Sequence, residues 1–342
     1  MLSLTGESGG GQLLRSALTL SAITGRPFRM EHIRAGRSKP GLMRQHLTCV
    51  EAAAAICGAE VEGASPGSQE LVFKPGKIRS GDFRFAIGTG GSTTLVLQTV
   101  LPALLLAPAR SAVSITGGTH NPMAPPADFL EKCYLPVLHT MGAAATVTTE
   151  RPGFMQAGGG VLTATVEPLV KWRPLQLHER GALIHTSGRV LQAHLDKGIA
   201  HRVIHSALEI LDWATESIDL TMDNTSAGPG SILMLEAVFE NITELCSCVA
   251  EPHRRAENLG STAAKQLRNY MGNTAPVGIH LADQLLLPMA LAGSGSFATF
   301  ALSKHTRSHM ALIPEFLPVT FQQTAKDGGV VILSVHGDQF LP

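Results

Sequence analysis

The chain has 342 residues, a length that corresponds to about two domains, and it carries 27 basic and 27 acidic side chains, so its formal net charge is zero. This balance argues against a polybasic nucleic-acid-binding surface and against an acidic tail, and a hydrophobic content of 44% argues against disorder. The longest apolar runs, at 100–109 and 285–292, are far shorter than a membrane span and contain proline.

The first six residues lack the basic and apolar regions of a signal peptide, so we expect none. The five cysteines are an odd and sparse set, which disfavours a secreted disulfide framework. Cys246 and Cys248 are too close in sequence for a CxxC redox or zinc motif. We therefore expect a cytoplasmic protein with reduced cysteines and no membrane partner.

Glycine clusters precede two predicted helices. Gly9-Gly10-Gly11 leads into a helix from Gln12 that ends near Gly25, and Gly88-Thr89-Gly90-Gly91-Ser92 leads into a helix over 93–106. The two loops start about 80 residues apart and each helix carries one glutamine, Gln12 or Gln98, which suggests a duplicated unit. The first loop is not followed by the Gly-Lys-Ser/Thr of a Walker A motif and lacks the glycine spacing of a dinucleotide motif. It is either a phosphate-binding turn or a tight strand-to-helix connection.

Other segments alternate between helical and extended patterns. Strands are predicted at 83–87, 112–115, 161–166 and 297–302, and helices at 43–56, 128–141 and 201–211. Segments 319–321 and 330–333 flank Asp327-Gly328-Gly329, which indicates a hairpin. Between about 177 and 275 the sequence changes in character, as an inserted domain would. An α/β or α+β class follows.

A local excess of cations lies between Arg34 and Arg44. Arg34, Arg37, Lys39 and Arg44 fall within eleven residues around the turn at Pro40, with no acid among them. Arginine forks match phosphate oxygens, so we favour an anion site over a solvated basic loop.

Two further segments carry candidate catalytic groups. Next to Lys304, and close to Arg307, His305 should have a lowered pKa and be neutral at pH 7, although an ordinary loop histidine is the simpler interpretation of this segment alone. In the second segment, Asp283 precedes a long apolar stretch, so it is either a helix N-terminal carboxylate or a ligand for a hard cation such as Mg²⁺.

Taken together, these blocks resemble the RNA 3′-terminal phosphate cyclases over nearly the whole chain. The resemblance is strongest at 9–48, 82–129, 151–161 and 278–293, and 153–160 is similar to the family signature. It implies a large domain of repeated units, each a four-stranded sheet with two helices, at 1–176 and 276–342. A smaller α/β domain is inserted at 177–275.

The resemblance also implies a reaction. A histidine attacks the α-phosphorus of ATP, releases pyrophosphate and holds AMP; the adenylyl group passes to the RNA 3′-phosphate. Attack by the neighbouring 2′-OH then gives a 2′,3′-cyclic phosphodiester and AMP. The partners are ATP and an RNA with a 3′-terminal phosphate, and the cofactor is a divalent metal, Mg²⁺ or Mn²⁺.

Residue roles follow from the matched positions. His305 is the expected nucleophile and His309 is not. The residues expected near the phosphates and the RNA end are Gln12, Arg15, Arg34, Arg37, Arg44 and Gln45. Those matching the nucleotide site are Gln98, Pro125, His280, Leu281, Ala282, Asp283 and Gln284. Asp283, and with less support Glu7, are the expected metal contacts.

Departures from the family pattern leave alternatives open. Glu7 is displaced by one position relative to the family's Gly-Glu-Gly-Gly-Gly-Gln, and Cys246 follows Leu245 where the family usually offers an aromatic side chain to adenine. The usual tyrosine at 280 is histidine, and the usual asparagine at 309 is also histidine. The alternatives are a catalytically impaired RNA-binding relative and an enolpyruvyl transferase on the same architecture.

Overall fold

The computed structural model describes residues 1–7, 10–300 and 302–340; Ser8, Gly9, Ala301, Leu341 and Pro342 therefore lie outside the described residues. Among the described residues the strands form four separate four-stranded sheets, each accompanied by helices. The predicted α/β class with repeated four-stranded units is confirmed.

The first unit contains the N-terminal glycine loop. Its elements are β1 (Leu2–Thr5), α1 (Gly10–Thr24), β2 (Phe28–Glu31), α2 (Arg44–Cys57), β3 (Glu60–Glu62) and β4 (Leu71–Lys74). The sheet order is β1-β2-β4-β3, with β1 and β2 parallel and the other pairs antiparallel. Helix α1 ends at Thr24, next to Gly25 as predicted. Gly25 adopts φ +69° after the last turn, and its N–H bonds to the Ser21 carbonyl.

The second unit repeats this order. Its elements are β5 (Asp82–Ala86), α3 (Thr93–Leu104), β6 (Ser111–Gly117), α4 (Ala127–Phe129), a π-helical turn (Leu130–Tyr134), α5 (Leu135–Thr140), β7 (Ala145–Arg151) and β8 (Gly160–Val166). The single helix predicted over 128–141 is interrupted by the π-helical turn. Pro136 has no N–H to donate to the carbonyl four residues earlier, and the Leu135 N–H bonds to the Leu130 carbonyl instead.

A third unit with the same order was not predicted as a repeat. Its elements are β9 (Leu175–Leu177), α8 (Ile279–Ala292), β14 (Ser294–Thr299), α9 (Lys304–Leu312), β15 (Val319–Ala325) and β16 (Val331–Gly337). Strand β9 pairs in parallel with β14, and β15 and β16 form the predicted antiparallel hairpin. The strand predicted over 297–302 begins earlier, at Ser294, and ends at Thr299.

The fourth sheet lies entirely between β9 and α8 in the chain. Its elements are β10 (Leu183–Ala193), α6 (Lys197–Leu211), β11 (Ile218–Asp223), β12 (Gly230–Phe239), β13 (Thr243–Val249) and α7 (Ala256–Met271). The order β11-β10-β12-β13 differs from that of the three repeated units. The proposed boundary at residue 177 falls on the last residue of β9.

Side chains of the fourth sheet contact the second unit through two ion pairs. Asp128 of α4 pairs with Arg189 of β10 and lies 2.9 Å from Nε2 of His120, and Lys132 pairs with Glu236 of β12 at 2.5 Å. Burial alone would raise the pKa of Asp128, but the hydrogen bond and charge of His120 and the charge of Arg189 outweigh it and lower that pKa to about 2. These contacts hold the two parts of the chain against each other.

The helices of different units pack together and bring the candidate site residues into one region. Helix α1 contacts α2, α3 and α9, and α9 also contacts α8. One hydrophobic cluster of buried residues runs through all four units. No helix among the described residues is long and apolar enough to cross a membrane.

Candidate active site

The N-terminus of α1 is surrounded by basic side chains. A Cβ atom at Gly10 would lie 3.1 Å from Nη2 of Arg37, and one at Gly11 would lie 3.2 Å from Nη1 of Arg15 and would overlap the ring of His46. Only glycine allows this approach, and Gly10 also has φ +58°. The N–H groups of a first helical turn, which have no partner within the helix, and two guanidinium groups therefore lie close together, an arrangement that suits phosphate binding.

The charges of these basic side chains act on His305. It is the second residue of α9, whose start is capped by Ser303: the Ser303 Oγ accepts the Thr306 N–H at 3.0 Å. Its side chain is exposed, and its pKa lies below the ordinary value because of partial burial and the charges of Arg15 and Arg37. The prediction of a lowered pKa is confirmed, but the cations responsible come from α1 and the basic loop rather than from neighbours in sequence. A neutral imidazole is the form that attacks phosphorus.

Asp283 lies on α8 beside the same group. The helix begins at Ile279, so Asp283 is in its second turn, and the alternative of a helix N-terminal carboxylate is wrong. Nε2 of Gln12 donates to its Oδ2 at 2.9 Å. Burial raises the pKa of Asp283 to about 7, against the opposing effects of the Arg15 charge and the Gln12 hydrogen bond. The ionised carboxylate therefore gains from any further positive charge, including a bound cation.

His309 is enclosed by its neighbours. It is buried, with Nδ1 2.8 Å from the Asp283 carbonyl oxygen and Nε2 2.6 Å from the Ser16 Oγ. The carbonyl can only accept, so Nδ1 carries the proton and Nε2 accepts from the serine hydroxyl. Burial lowers the pKa of His309 to about 4, so the ring is neutral at pH 7. Both ring nitrogens are engaged, and the ring joins α1, α8 and α9.

The remaining nucleotide-site candidates are distributed along α8, α3 and the loop before α4. His280 reaches the surface but is partly buried, and this burial together with the charge of His305 lowers its pKa. Nε2 of Gln98 donates to Oε1 of Gln284 at 2.5 Å, and the Pro125 carbonyl accepts from the Thr94 hydroxyl at 2.8 Å. Two further candidates, Leu281 and Ala282, are buried in the hydrophobic core. A nucleotide could reach only their backbone.

The candidate residues of the basic loop and of α2 differ in their contacts. Arg34 has φ +56°, and its Nη1 donates to the carbonyls of Lys39 and Gly41 at 2.8 and 2.7 Å, so it shapes the turn. Burial and the charge of Arg37 lower its pKa. Arg44 is the exposed first residue of α2. The Oε1 of Gln45 accepts the Ser92 N–H at 2.6 Å, which connects the first unit to the second glycine loop.

Glu7 differs from Asp283 in its exposure to solvent. It is exposed in the turn after β1, where a Cβ at Gly36 of the basic loop would lie 3.6 Å from its carbonyl oxygen. Within the described ranges, no group of three or more His, Cys, Asp or Glu side chains could hold a metal ion. A cation here would therefore rely on substrate oxygens for most of its ligands, as Mg²⁺ commonly does.

Two site residues were not predicted from the sequence. His46 and Ser16 are buried next to the candidate cluster, and burial together with the charges of Arg34 and Arg15 lowers the pKa of His46 to about 3. Neither residue belongs to a recognisable motif.

The repeat of the third unit did leave a signal in the sequence. Helices α3 and α8 share a leucine at the third position, a glutamine at the sixth, a leucine at the ninth and a proline at the tenth: Leu95, Gln98, Leu101 and Pro102 match Leu281, Gln284, Leu287 and Pro288. The glutamines at the equivalent positions are the two that bond to each other.

Comparison with known proteins identifies the family of this chain. The family profile described as RNA 3′-terminal phosphate cyclase matches residues 6–323. A protein of that name from Pseudomonas fluorescens is 48% identical over 336 residues, which is 98% of each chain. Another of that name, from Ralstonia nicotianae, is 49% identical over 330 residues, covering 96% of this chain and 94% of the relative.

Among solved structures, the enolpyruvyl transferase NikO from Streptomyces tendae aligns with 99% of this chain and 49% of its own, at 10% identity and a TM-score of 0.40. So low a score carries no argument about fold or function. The profile match and the two full-length relatives are decisive, and the chain belongs to the RNA 3′-terminal phosphate cyclase family.

Proposed function

We propose that this chain converts an RNA 3′-terminal phosphate into a 2′,3′-cyclic phosphodiester at the expense of ATP, through a covalent AMP on His305. The observation that carries the assignment of the nucleophile is the position of His305: an exposed imidazole with a lowered pKa, at the start of α9, beside Arg15 and Arg37. These are the conditions for a neutral nucleophile next to a bound polyphosphate.

The first step is transfer of the adenylyl group to the protein. A ring nitrogen of His305 forms a bond to the α-phosphorus of ATP, the bond to the bridging oxygen breaks, and pyrophosphate leaves. Arg15, Arg37 and the N–H groups at Gly10 and Gly11 supply positive potential on the same side of the site. They would bind the phosphates and stabilise the charge that develops during transfer.

The second and third steps return the histidine and close the ring. An oxygen of the RNA 3′-phosphate attacks the α-phosphorus, and the bond from phosphorus to His305 breaks. The neighbouring 2′-OH then loses its proton and attacks the RNA phosphorus, and AMP leaves. We assign the RNA end to Gln12, Arg34, Arg37, Arg44 and Gln45, which lie on α1, the basic loop and the start of α2.

The nucleoside of ATP would lie against α8 and the loop that contains Pro125. We assign His280, Gln284 and Gln98 to this part of the site, because the two glutamines are paired and the charge of His305 acts on His280. The buried Cys246 offers no aromatic ring for adenine, so we expect base stacking to depend on Pro125 and His280.

A divalent cation would fit beside Asp283. The carboxylate is held by Gln12 and has a raised pKa, so a cation would favour its ionised form. We assign Asp283 as the protein ligand of Mg²⁺ or Mn²⁺, with Glu7 as a second carboxylate. Such an ion supplies charge neutralisation for the phosphates.

Labelling with ATP tests the proposal. The protein is incubated with ATP carrying ³²P at the α-phosphate, with Mg²⁺ or Mn²⁺, and covalent label is measured on a denaturing gel. We expect label on the wild type and on a His201→Ala control, whose histidine is exposed on α6, and none on His305→Ala. Absence of label on the wild type, or equal label on His305→Ala, contradicts the proposal.

Cyclisation distinguishes an active enzyme from an impaired RNA-binding relative. An oligoribonucleotide with a 3′-phosphate should become resistant to phosphatase when it is incubated with the wild type and ATP. Label on His305 without cyclisation would favour the impaired relative. Enolpyruvyl transfer from phosphoenolpyruvate would favour the third hypothesis.

We also propose that residues 177–275 form an inserted domain within a large domain at 1–176 and 276–342. Support comes from the fourth sheet, whose strands all lie inside this range and whose order differs from that of the repeated units. We also propose a role in RNA processing in the cytoplasm; all five cysteines are free, as is usual in a reducing compartment.

A further inference from the structure

A cavity of about 540 Å³ is lined by Gln45, at the start of α2. We call it the Gln45 pocket, and its lining includes Gln45, Gly90, Asn121, Met123, Met155 and Gln156. None of these except Gln45 has a role in the reaction described above. The volume is within the range of pockets that bind small organic molecules.

Backbone contacts between three loops form the pocket. A Cβ atom at Gly90 would lie 2.8 Å from the backbone nitrogen of Gln156 and 3.1 Å from Cα of Met155, so the loops at 88–92 and 153–158 touch directly. His120 and Phe154 join the third loop to the second through a β-bridge. The Ser92 N–H bonds to Gln45 and thereby fixes α2 against the rim. The pocket is consequently built before any ligand arrives.

Two walls of the pocket are apolar and exposed. Met123 is 93% exposed and Met155 is 39% exposed, so both thioether side chains are accessible to a ligand in the pocket. Thioether side chains pack well against the faces of flat aromatic rings. Met123 and Gln156 also have φ angles of +61° and +87°, a conformation that costs free energy in residues other than glycine and that occurs at ligand-binding loops.

Asn121 adds a hydrogen-bond acceptor. Its side chain is 8% exposed and its Nδ2 donates to the Gly90 carbonyl, but its Oδ1 is buried without a hydrogen-bond partner among the residues that the structure describes. A buried acceptor without a donor is costly, and a ligand N–H would satisfy it. A flat ring that carries N–H donors on its edge is a nucleobase.

The position of the pocket indicates which part of the RNA would supply this base. Gln45 lines the pocket, and the next residue of α2, His46, has its ring against the space at Gly11, so the pocket and the basic cluster both adjoin the first turn of α2. A phosphate at the cluster would therefore place nearby bases within reach of the pocket. We propose that the Gln45 pocket binds one of the last two bases of the RNA, between Met123 and Met155, with a base N–H donating to Oδ1 of Asn121. This assignment rests on the proposed function, since it takes the RNA end to lie at the basic cluster.

Equilibrium binding tests the proposal without requiring catalysis. Fluorescence anisotropy gives the Kd for a labelled oligoribonucleotide with a 3′-phosphate, and for matched oligonucleotides that are abasic at the last or at the second-last position. The proteins are the wild type, the double variant Met123→Ala with Met155→Ala, and an Ile184→Ala control. Ile184 is 62% exposed on β10, outside both sites, so its truncation also removes exposed apolar surface.

For the wild type, we expect one of the two abasic positions to raise the Kd by about 5-fold or more, the effect of losing one stacked base. The double variant should bind the intact RNA with a similarly raised Kd and show no further loss with the abasic RNA. The control should bind as the wild type does. Labelling by ATP, which needs no RNA, should be the same in all three proteins.

Two results would overturn the proposal: a wild-type Kd for intact RNA in the double variant, or the full abasic effect in that variant. Failure of the proposed function would give a different pattern, because it would remove ATP labelling from the wild type whatever the RNA binding shows.

Discussion

Replacing Asp283 with asparagine should make the protein more stable at alkaline pH while it lowers labelling by ATP. The carboxyl group has a pKa of about 7 in the folded chain, mainly because of burial, against 3.8 as its ordinary value. In the unfolded chain it is ionised above about pH 4, whereas in the folded chain it stays protonated until about pH 7. Over this interval the unfolded state binds fewer protons, so the free energy of unfolding falls as the pH rises.

The size of the effect follows from the pKa difference. Each pH unit between the two pKa values corresponds to about 1.4 kcal/mol, so the interval from pH 5 to about pH 7 accounts for about 3 kcal/mol. Asparagine cannot ionise, and its side-chain oxygen can still accept the hydrogen bond from Nε2 of Gln12. The stability advantage of Asp283→Asn over the wild type should therefore grow by about 3 kcal/mol between pH 5 and pH 8.

Urea denaturation at pH 5 and at pH 8 measures this difference, with Glu131→Gln as a control. Glu131 is an exposed carboxylate in the π-helical turn, and its replacement controls for the loss of one carboxylate outside the candidate site. ATP labelling of Asp283→Asn should fall at least about tenfold, because the variant lacks the carboxylate assigned to the cation.

A constant difference in unfolding free energy between pH 5 and pH 8 would refute the reasoning, because it would mean that burial does not raise the pKa of Asp283. Full labelling of the variant would instead refute its role toward the cation. The two results are independent of each other.

Three other changes have defined expectations. Asp128→Asn should lower stability by about 2 kcal/mol near pH 6, and this difference should vanish as the pH falls from about 4 towards 2, because the folded carboxylate has a pKa of about 2; denaturation across this pH range measures it. His309→Ala removes a buried ring and its hydrogen bonds to Ser16 and the Asp283 carbonyl, so unfolding should need about 2–4 kcal/mol less, and an unchanged denaturation midpoint would contradict this role. Gly11→Ala places a methyl group against the ring of His46 and should lower the rate of ATP labelling at least about tenfold, with an unchanged circular dichroism spectrum; a wild-type rate would show that this space is not used.

Local sequence predicted the longer elements well. Helix α1 with its glycine end, helix α2, strand β6 and the β15–β16 hairpin were expected from periodicity and turn residues, and these signals act over a few residues. The short strands of the first unit were not predicted, because segments of three or four residues hold too little pattern to separate them from loops. The third unit was not recognised, since an entire sheet lies between its first strand and its first helix.

The candidate site, like the fold, could be predicted from the sequence only in part. The sequence alone indicated the basic loop, His305 and Asp283 as chemically capable groups, and the family resemblance supplied their expected roles. Only the tertiary structure brought the charges of Arg15 and Arg37 to act on His305, raised the pKa of Asp283 and enclosed His309. These pKa values depend on burial and on charges contributed by distant segments. The Gln45 pocket is likewise a product of packing: its walls come from segments more than a hundred residues apart, and no local pattern in any of them predicts a cavity.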